Sequence, residues 1–442
     1  MNCESFGSCG SCTLGEPYED QILYKKRLIA DKLREFFDGE FEFFASQPQN
    51  YRIRAEFGIW HDIWHSAFDL AYTMGGARSK KILINECPKV ALPIANLMPR
   101  LLEALRRSEA LKEKLFGVEF ISCASGILAT LLYHKRLGER EQEAIRELAD
   151  KLGIRVMARA RGQKLLSGEL SLTDELCVDG RVYKFRFGEN AFIQPNRGVN
   201  EKMIAWARSC VDFGKDGASE VCAVQNSVTR NSIVENFTAQ NYGCEQSAPQ
   251  NSSREQSAAQ NSSCEKHAVR QESSAARDLL ELYCGHGNFT IPLAAKFNRV
   301  LASEISKSSI ANARINCELN GVCNAQFVRL SADELMSAFA RRREFERLKG
   351  IDIFSYDFSH VLIDPPRAGL EPSVIDFIKN FQNLIYISCN PQTLFENLRS
   401  LCATHEVRRF AIFDQFAHTA HIECGVLLKR RSQMSLKPKP RI

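Results

Sequence analysis

The run Leu279-Leu-Glu-Leu-Tyr283-Cys-Gly285-His-Gly287 decides the fold, because an apolar strand passes directly into a turn that holds two glycines. Glycines at such a point remove side chains where a ligand must approach the backbone. Strand and helix patterns alternate from here onward, with strands expected near 279–283, 299–304, 325–330, 359–364 and 383–388, then at 407–414 and 422–429. This alternation is typical of βαβ units and predicts a parallel sheet covered by helices.

Two more of these predicted strands end in residues that can do chemistry. Tyr386-Ile-Ser-Cys389-Asn-Pro391 ends on a thiol, and Val361-Leu-Ile-Asp364-Pro-Pro-Arg367 ends on an acid. The proline after each one prevents the strand from continuing. Open α/β sheets build their sites at the carboxyl ends of strands. The sequence therefore predicts one crevice that holds a thiol nucleophile beside a nucleotide-type cofactor.

The acid Glu304 ends the next predicted strand, about 20 residues beyond Gly285, where a carboxylate can accept hydrogen bonds from both ribose hydroxyls. Thr290 stands where a dinucleotide-binding fold would have its third glycine. S-adenosylmethionine therefore fits the turn better than NAD. The alternative is an ordinary glycine turn followed by a solvated glutamate.

The chain has 442 residues, enough for two or three domains. Its net charge of +5 is too small to indicate nucleic acid without clustering of the basic residues. No run approaches the roughly 18 apolar residues of a membrane-spanning helix, and the first residues lack the pattern of a signal peptide. We therefore expect a cytoplasmic protein without membrane association, in which most of the 16 cysteines are free thiols.

The amino-terminal half has a different pattern, with helices and half-buried strands that predict an antiparallel α+β region. The helices are expected at 18–37 and 90–115, and the strands at 51–60, 68–74, near 120 and at 127–134. Arg52 and Arg54 share one face of their strand, and residues 155–164 are basic at alternate positions. Such a surface suits RNA phosphates and stacked bases. An ordinary solvated basic face is the alternative.

Three cysteines open the chain within a stretch rich in glycine and serine, and a fourth precedes a proline. They are Cys3, Cys9, Cys12 and Cys87. Thiolates are the ligands of iron–sulfur clusters, so these four are candidate ligands of a [4Fe–4S] cluster. A loose tail with incidental cysteines explains the spacing equally well.

A low-complexity stretch at 214–276 separates the two halves. It is rich in Ser, Gln, Asn and Ala and contains a ten-residue tandem repeat with too few apolar residues for a core. We interpret the stretch as a disordered insertion. The predicted organisation is a cysteine-rich segment at 1–17, an α+β RNA-binding region at 18–196, a connecting helix at 197–213, the insertion at 214–276 and a catalytic domain at 277–442.

Five motifs in this order resemble the RNA uracil-5-methyltransferase family. They are Phe192-Ile-Gln194-Pro-Asn196, Glu281-Leu-Tyr283-Cys-Gly285-His-Gly287-Asn288-Phe289, Asp364-Pro-Pro-Arg367-Ala-Gly369, Tyr386-Ile-Ser-Cys389-Asn-Pro391, and Asp414-Gln-Phe leading to His421-Ile-Glu423-Cys-Gly-Val-Leu-Leu. The resemblance implies a Rossmann-like methyltransferase domain that uses S-adenosylmethionine. It also implies the roles of individual residues.

In that family Cys389 would be the nucleophile and Glu423 the base. The residues that would contact the cofactor are Gln194, Tyr283, Asn288, Glu304 and Asp364. The chemistry agrees, because carbon 5 of uracil becomes electron-rich only after a thiolate adds to carbon 6. Thr419, His421 and Glu423 alternate, so we expect a strand face that aims this carboxylate into the site.

The resemblance is strongest to the tRNA branch of the family, in which Phe116 and His134 would hold the T-loop and Arg367 would also contact RNA. It implies methylation of the T-loop uridine at position 54 of tRNA, and of the equivalent loop of tmRNA. Separately, we expect a monomer. The cysteine set instead resembles the branch that acts on 23S ribosomal RNA. Two rivals outside the family are an exocyclic-amine methyltransferase and a noncatalytic RNA-folding protein.

Overall fold

The computed structural model describes residues 3–61, 70–76, 80–188, 191–212 and 276–431. Its strands are β1 (Glu42–Phe44), β2 (Arg54–His61), β3 (Leu70–Gly75), β4 (Lys81–Ile84), β5 (Leu115–Cys123), β6 (Gly126–Tyr133), β7 (Arg155–Ala160), β8 (Gln163–Leu166), β9 (Leu172–Val178), β10 (Arg181–Phe187), β11 (Ala276–Leu282), β12 (Phe297–Ser303), β13 (Ala325–Val328), β14 (Phe358–Ile363), β15 (Asn383–Ser388), β16 (His405–Phe413) and β17 (Glu423–Arg430). Its α-helices are α1 (Tyr18–Leu33), α2 (Leu92–Arg106), α3 (Glu109–Lys112), α4 (Glu139–Leu152), α5 (Arg197–Asp212), α6 (Thr290–Leu293), α7 (Lys307–Asn320), α8 (Ala332–Phe339), α9 (Pro372–Ile378) and α10 (Pro391–Leu401).

The larger of two main sheets has the strand order β1-β16-β17-β15-β14-β11-β12-β13. Strands β11 to β15 run parallel, which confirms the predicted Rossmann-like α/β fold. Strand β17 lies between β15 and β16 and runs antiparallel to both. This insertion brings the first residue of β17, Glu423, to the edge where β15 ends.

Both faces of this sheet are buried, as expected for parallel strands that read as continuous apolar runs. Leu280 packs into one hydrophobic cluster together with residues of α1, α8, α9 and α10. Its neighbour Leu279 points to the opposite face and packs with residues of α5, α6 and α7. The carboxyl edge between these two helical layers is left for the site.

The second sheet carries the amino-terminal half in the order β4-β3-β2-β5-β6-β7-β8. Its paired strands are antiparallel except for β6 and β7. Helices α2, α3 and α4 bury their apolar faces against it, around a core that includes Phe57, Phe120 and Leu101. The predicted antiparallel α+β region is therefore present, although its internal divisions differ from the prediction.

The helix predicted at 90–115 is wrong in its second half. Helix α2 ends at Arg106, the short α3 follows, and β5 begins at Leu115. Lys114 has a φ of 56°, a left-handed conformation that ends helical geometry and turns the chain into the strand. The leucines from α2 to β5 recur at helical spacing, so the sequence pattern gives no sign of the turn at Lys114.

The α+β region predicted at 18–196 does not begin at residue 18, because its first elements, α1 and β1, belong with the larger sheet. Strand β1 pairs in parallel with β16, and Ile29 and Leu33 of α1 lie in the core beneath that sheet. The β9–β10 hairpin also packs there through Tyr183 and Phe185. The strands of the second sheet that the structure describes, β2 to β8, all lie between β1 and this hairpin.

The proposed insertion at 214–276 lies outside the described residues except for its last residue, which begins β11. The helix expected before it is present as α5, and Asn196 accepts a hydrogen bond from the Val199 N–H at 3.2 Å, as a cap does. None of the described helices is both long and apolar enough to cross a membrane.

Candidate active site

Cys389 lies in the turn between β15 and α10, half-buried at the wall of a cavity of about 240 Å³. Asn390 caps α10 by accepting a hydrogen bond from the Gln392 N–H at 3.2 Å, and its amide donates to the Arg367 carbonyl at 3.0 Å. The thiol-bearing turn is therefore fastened to the loop that follows β14. Residues of α1 and His421 complete the cavity wall.

Glu423 faces Cys389 through the register of the antiparallel pair β15–β17. Ser388 pairs with Cys424, so one step further along each strand places the thiol opposite the carboxyl group. The Glu423 carboxyl group is buried, and its charge contributes to raising the pKa of Cys389. The predicted strand through Thr419 and His421 is wrong, because β17 begins only at Glu423.

Three carboxyl groups at this edge have raised pKa values. Burial raises the pKa of Glu281 to about 8 and that of Asp364 to about 7. Burial, with a smaller contribution from the charge of Asp364, raises the pKa of Glu423 to about 8. Burial also raises the pKa of Cys389, and the nearby Arg367 opposes the effect of the two carboxylates on it. Among the described residues, no cation pairs with any of these three carboxyl groups.

The glycine turn after β11 has the conformation that the sequence predicts. Tyr283, Gly285 and Gly287 have φ values of 62°, 56° and 91°. A Cβ atom at Gly287 would come within 3.1 Å of the Ile291 side chain, which would have to move, and the positive φ itself favours glycine. The turn leaves its backbone open beside the end of the strand.

Glu304 follows β12 and lies against the glycine turn. One carboxylate oxygen accepts a hydrogen bond from the Gly285 N–H at 3.2 Å, and the other accepts from the Ser306 N–H at 2.8 Å. The sheet order β15-β14-β11-β12 places Cys389, Asp364, this turn and Glu304 in succession along one edge.

Two of the residues predicted to contact the cofactor, Asn288 and Gln194, are held by hydrogen bonds to other parts of the chain. Asn288 exchanges two side-chain hydrogen bonds with Asn200 of α5, at 2.9 and 3.0 Å. Gln194 accepts a hydrogen bond from the buried Gln415 amide at 3.3 Å. Both amides are thus held in place by neighbouring elements beside the site.

These groups fit S-adenosylmethionine on two grounds. The open space at Gly285, where no atom of the described residues lies within 4 Å of a Cβ position, lets a ligand approach the turn, and Glu304 offers a carboxylate there for ribose hydroxyls. Asp364 and the other acids with raised pKa values suit a ligand that carries positive charge, because a cation would restore their ionised forms. A neutral cofactor would leave this cluster uncompensated.

The residues predicted to bind RNA lie in two places. Phe116 and His134 stack with ring centroids 3.8 Å apart, near one end of the second sheet. Arg52 lies over the ring of Phe416 at 5.7 Å, close to the cavity, and Arg54 donates to the Ala191 carbonyl at 3.0 Å. Arg54 and Phe116 therefore lie toward opposite ends of the paired strands β2 and β5.

The four amino-terminal cysteines are near one another. Burial raises the pKa of Cys12, and the charges of Cys87 and Cys9 add to that effect. Burial also raises the pKa of Cys87, with a small contribution from Cys3. Within the described residues, however, no three or more Cys, His, Asp or Glu side chains form a group spaced to hold a metal ion.

Sequence reasoning missed the buried polar contacts that attach α1 to the segment before Glu423. Lys25 and Asp414 form an ion pair of 2.6 Å in which neither side chain is exposed. The buried stripe of α1 consists of Gln21, Lys25, Ile29 and Leu33 at four-residue spacing. Gln21 and Lys25 share this apolar face of the helix, and their position there was the one sign in the sequence that they have buried polar partners.

Known proteins are similar to this chain along nearly its whole length. The family model described as tRNA (Uracil-5-)-methyltransferase matches residues 17–226 and 222–431. A tRNA/tmRNA (uracil-C(5))-methyltransferase of Campylobacter concisus (strain 13826) is 53% identical over 98% of this chain and 100% of its own length. One of the same name from Sulfurovum sp. (strain NBC37-1) is 41% identical over 98% of this chain and 100% of its own.

A solved structure has the same fold. The Pyrococcus abyssi tRNA (uracil-54, C5)-methyltransferase in complex with S-adenosyl-L-homocysteine matches with a TM-score of 0.59 and 17% identity. The match covers 95% of this chain and 86% of the other. At this identity the likeness concerns the arrangement of the two sheets and their helices.

Proposed function

The chain belongs to the tRNA (uracil-5-)-methyltransferase family, and from this premise we propose that it transfers a methyl group from S-adenosylmethionine to carbon 5 of a uridine in tRNA. The proposed target is the T-loop uridine at position 54, and the equivalent loop of tmRNA is the second substrate. The observation that carries the proposal is the juxtaposition of Cys389 and Glu423 across β15 and β17, beside Asp364.

Cys389 would act as the nucleophile that activates the base. Its thiolate adds to carbon 6 of uracil, a carbon–sulfur bond forms, and the ring electrons move onto carbon 5 and oxygen 4 as an enolate. Carbon 5 can then attack a methyl group, which an unmodified uracil ring cannot do efficiently. The cavity beside Cys389, at about 240 Å³, is large enough for a base that leaves its stack.

Bound S-adenosylmethionine supplies an electrophilic methyl group on a positively charged sulfur. Tyr283, Asn288 and Gln194 would line its site, and the Glu304 carboxylate would bind the ribose hydroxyls. Asp364 would face the positive charge. The carboxylates that raise the pKa of Cys389 would then be neutralised, so we expect the thiolate to form in the loaded site.

Glu423 would remove the proton that remains on carbon 5 after methyl transfer. The electrons of the broken carbon–hydrogen bond return to the ring, the double bond between carbons 5 and 6 forms again, and the thiolate of Cys389 leaves. Burial raises the pKa of this carboxyl group to about 8 in the unliganded protein, and the positive charge of bound S-adenosylmethionine would ionise it so that it can accept the proton.

Nucleoside analysis of RNA treated with the purified protein and labelled S-adenosylmethionine tests the proposed function. We expect label in 5-methyluridine from an unmodified tRNA transcript, and none when cytidine replaces the target uridine. Label in a methylated exocyclic amine would support the rival methyltransferase class. Labelling of 23S ribosomal RNA with none in tRNA would assign the chain to the ribosomal branch, and no label in any RNA would contradict an enzymatic role.

The stacked pair of Phe116 and His134 supports binding of the T-loop. Phe116 is partly exposed, and a preformed aromatic stack offers a platform for an unpaired base. Arg52, Arg54 and Arg367 would contact the RNA closer to the cavity. We expect the RNA to reach from the aromatic pair to Cys389.

We also propose a [4Fe–4S] cluster on Cys3, Cys9, Cys12 and Cys87. The mutual effects on the thiol pKa values support their proximity, and Lys89 holds their segment by donating to the Ser11 hydroxyl at 2.6 Å. Iron and sulfide content after anaerobic purification tests the proposal. Cys87→Ala should lose the iron, and Cys402→Ala, at another half-buried cysteine, should keep it. Equal iron content in both variants would contradict it.

The remaining sequence expectations are part of the same proposal. We propose a cytoplasmic monomer in which residues 214–275 are a dispensable insertion between α5 and β11. Light scattering of the free protein and fractionation of cells test the first two points.

A further inference from the structure

The chain between β16 and β17, residues 414–422, forms a connector that leads directly to Glu423. Its last residues, Ala420, His421 and Ile422, line the cavity beside Cys389. The connector lacks regular secondary structure, and His418 within it has a φ of 65°. Its path must therefore be fixed by contacts with other parts of the chain.

Helix α1 fixes the beginning of the connector through Asp414. One oxygen of this carboxylate accepts from Lys25 Nζ at 2.6 Å, and the other accepts from the Tyr18 hydroxyl at 2.7 Å. Lys25 also donates to the Phe416 carbonyl at 3.1 Å. Because both charges are fully buried, the ion pair is costly to break and tolerates little displacement.

Gln21 fixes the middle of the connector from the same helix. Its side-chain oxygen accepts from the His418 N–H at 2.9 Å, and its amide donates to Nδ1 of the same ring at 2.9 Å. The other ring nitrogen donates to the Pro48 carbonyl at 2.8 Å. The residues before α1 join this set, because Thr13 and Leu14 donate backbone hydrogen bonds to the His418 carbonyl.

The Glu423 carboxyl group has no comparable support of its own. Among the described residues, no side chain or N–H group makes a hydrogen bond to it, although it is only 5% exposed. Its position therefore depends on the backbone of Glu423. This backbone pairs with Phe413 of β16 and continues directly from the last residue of the connector. A shift of the connector is thus transmitted to the base more directly than to Cys389, which lies on a separate turn.

We propose that Tyr18, Gln21 and Lys25 of α1 are positioning residues for Glu423, acting through the connector. The inference rests on the proposed function and adds to it that the amino-terminal helix is part of the machinery for removing the proton from carbon 5. Weakening these contacts slows the release of methylated RNA from Cys389 and leaves its attack on carbon 6 unchanged.

Tyr18→Phe and Gln21→Met test the proposal, because each removes connector contacts without leaving Lys25 unpaired. With tRNA and labelled S-adenosylmethionine, quenched samples are run on denaturing gels. We expect a methylated protein–RNA adduct to accumulate and its resolution to slow by about tenfold to a hundredfold, as for other small misplacements of catalytic groups. In tRNA that contains 5-fluorouridine, fluorine replaces the hydrogen on carbon 5, so no proton can be removed and the adduct is trapped. With this tRNA both variants should form adduct at the wild-type rate.

Leu33→Ala is the matched control. Leu33 is buried on the same helix and its truncation destabilises the core, but it does not contact the connector polar groups. This variant should turn over without adduct. Adduct in the control, or equal slowing of formation and resolution in Tyr18→Phe and Gln21→Met, would overturn the proposal. If the wild-type protein formed no adduct with 5-fluorouridine tRNA, the covalent mechanism itself would fail instead.

Discussion

Glu423→Gln should make the unliganded protein more stable at alkaline pH while it blocks turnover. The wild-type carboxyl group has a pKa of about 8 in the folded protein, against an ordinary value of 4.5. The folded state therefore holds a proton that the unfolded state releases between these two values. Stability falls as pH rises through this window and is level again above about pH 8, because the native state binds more protons than the unfolded state.

The size of the effect follows from the same two values. A difference of one pKa unit corresponds to about 1.4 kcal/mol, so the buried carboxylate costs up to about 5 kcal/mol at pH 9. Glutamine has the same shape and cannot ionise, but its buried amide without a partner costs about 1–3 kcal/mol. We expect Glu423→Gln to be more stable by about 2–4 kcal/mol at pH 9 and no more stable than the wild type at pH 4.5.

Urea unfolding of the unliganded protein across pH 4.5–9 measures this difference. Glu344→Gln is the matched control, since Glu344 is exposed and the same substitution is made there without burial of the side chain. A stability difference for Glu423→Gln that does not grow with pH would refute the reasoning. It would mean that the site already neutralises the carboxylate without a ligand.

The other predictions concern the reaction, the RNA and the insertion. Glu423→Gln should accumulate a methylated protein–RNA adduct on denaturing gels, because glutamine cannot accept the carbon 5 proton; normal release of methylated RNA would make another group the base. Phe116→Ala should raise KM for tRNA by about tenfold, because one base loses its stacking partner, and should change kcat little. The control Leu166→Ala, at a partly exposed apolar residue on the edge strand β8, should change neither KM nor kcat. Deleting 214–275 and joining the ends with a short linker should leave activity and the unfolding midpoint nearly unchanged, because Val211 and Leu279 on its two flanks already share one hydrophobic cluster; loss of folding would contradict this.

The carboxyl half could be predicted from the sequence because its signals are local. Each parallel strand is a short, largely apolar run, and two of them lead directly to Asp364 and Cys389, each followed by a proline within two residues. The edge that gathers these ends follows from the topology of parallel sheets.

The amino-terminal half was harder because its partners are distant in sequence. An amphipathic helix at α1 could be predicted, but not that it packs beneath a sheet most of whose strands follow Ala276. Strand β9 carries two adjacent charges, Asp174 and Glu175, that match a surface loop equally well. Lys25 illustrates the limit, since only the fold reveals that Asp414 neutralises it.

The covalent role of Cys389 is the central claim, and peptide mass mapping of a trapped complex tests it most directly. The purified protein is incubated with S-adenosylmethionine and tRNA that contains 5-fluorouridine, then digested with protease and nuclease. We predict a methylated fluorouracil nucleotide attached to the peptide that carries Cys389, and no attachment in Cys389→Ala, which should still bind S-adenosylmethionine. A methylated nucleotide on any other residue, or adduct formation by Cys389→Ala, would contradict the account.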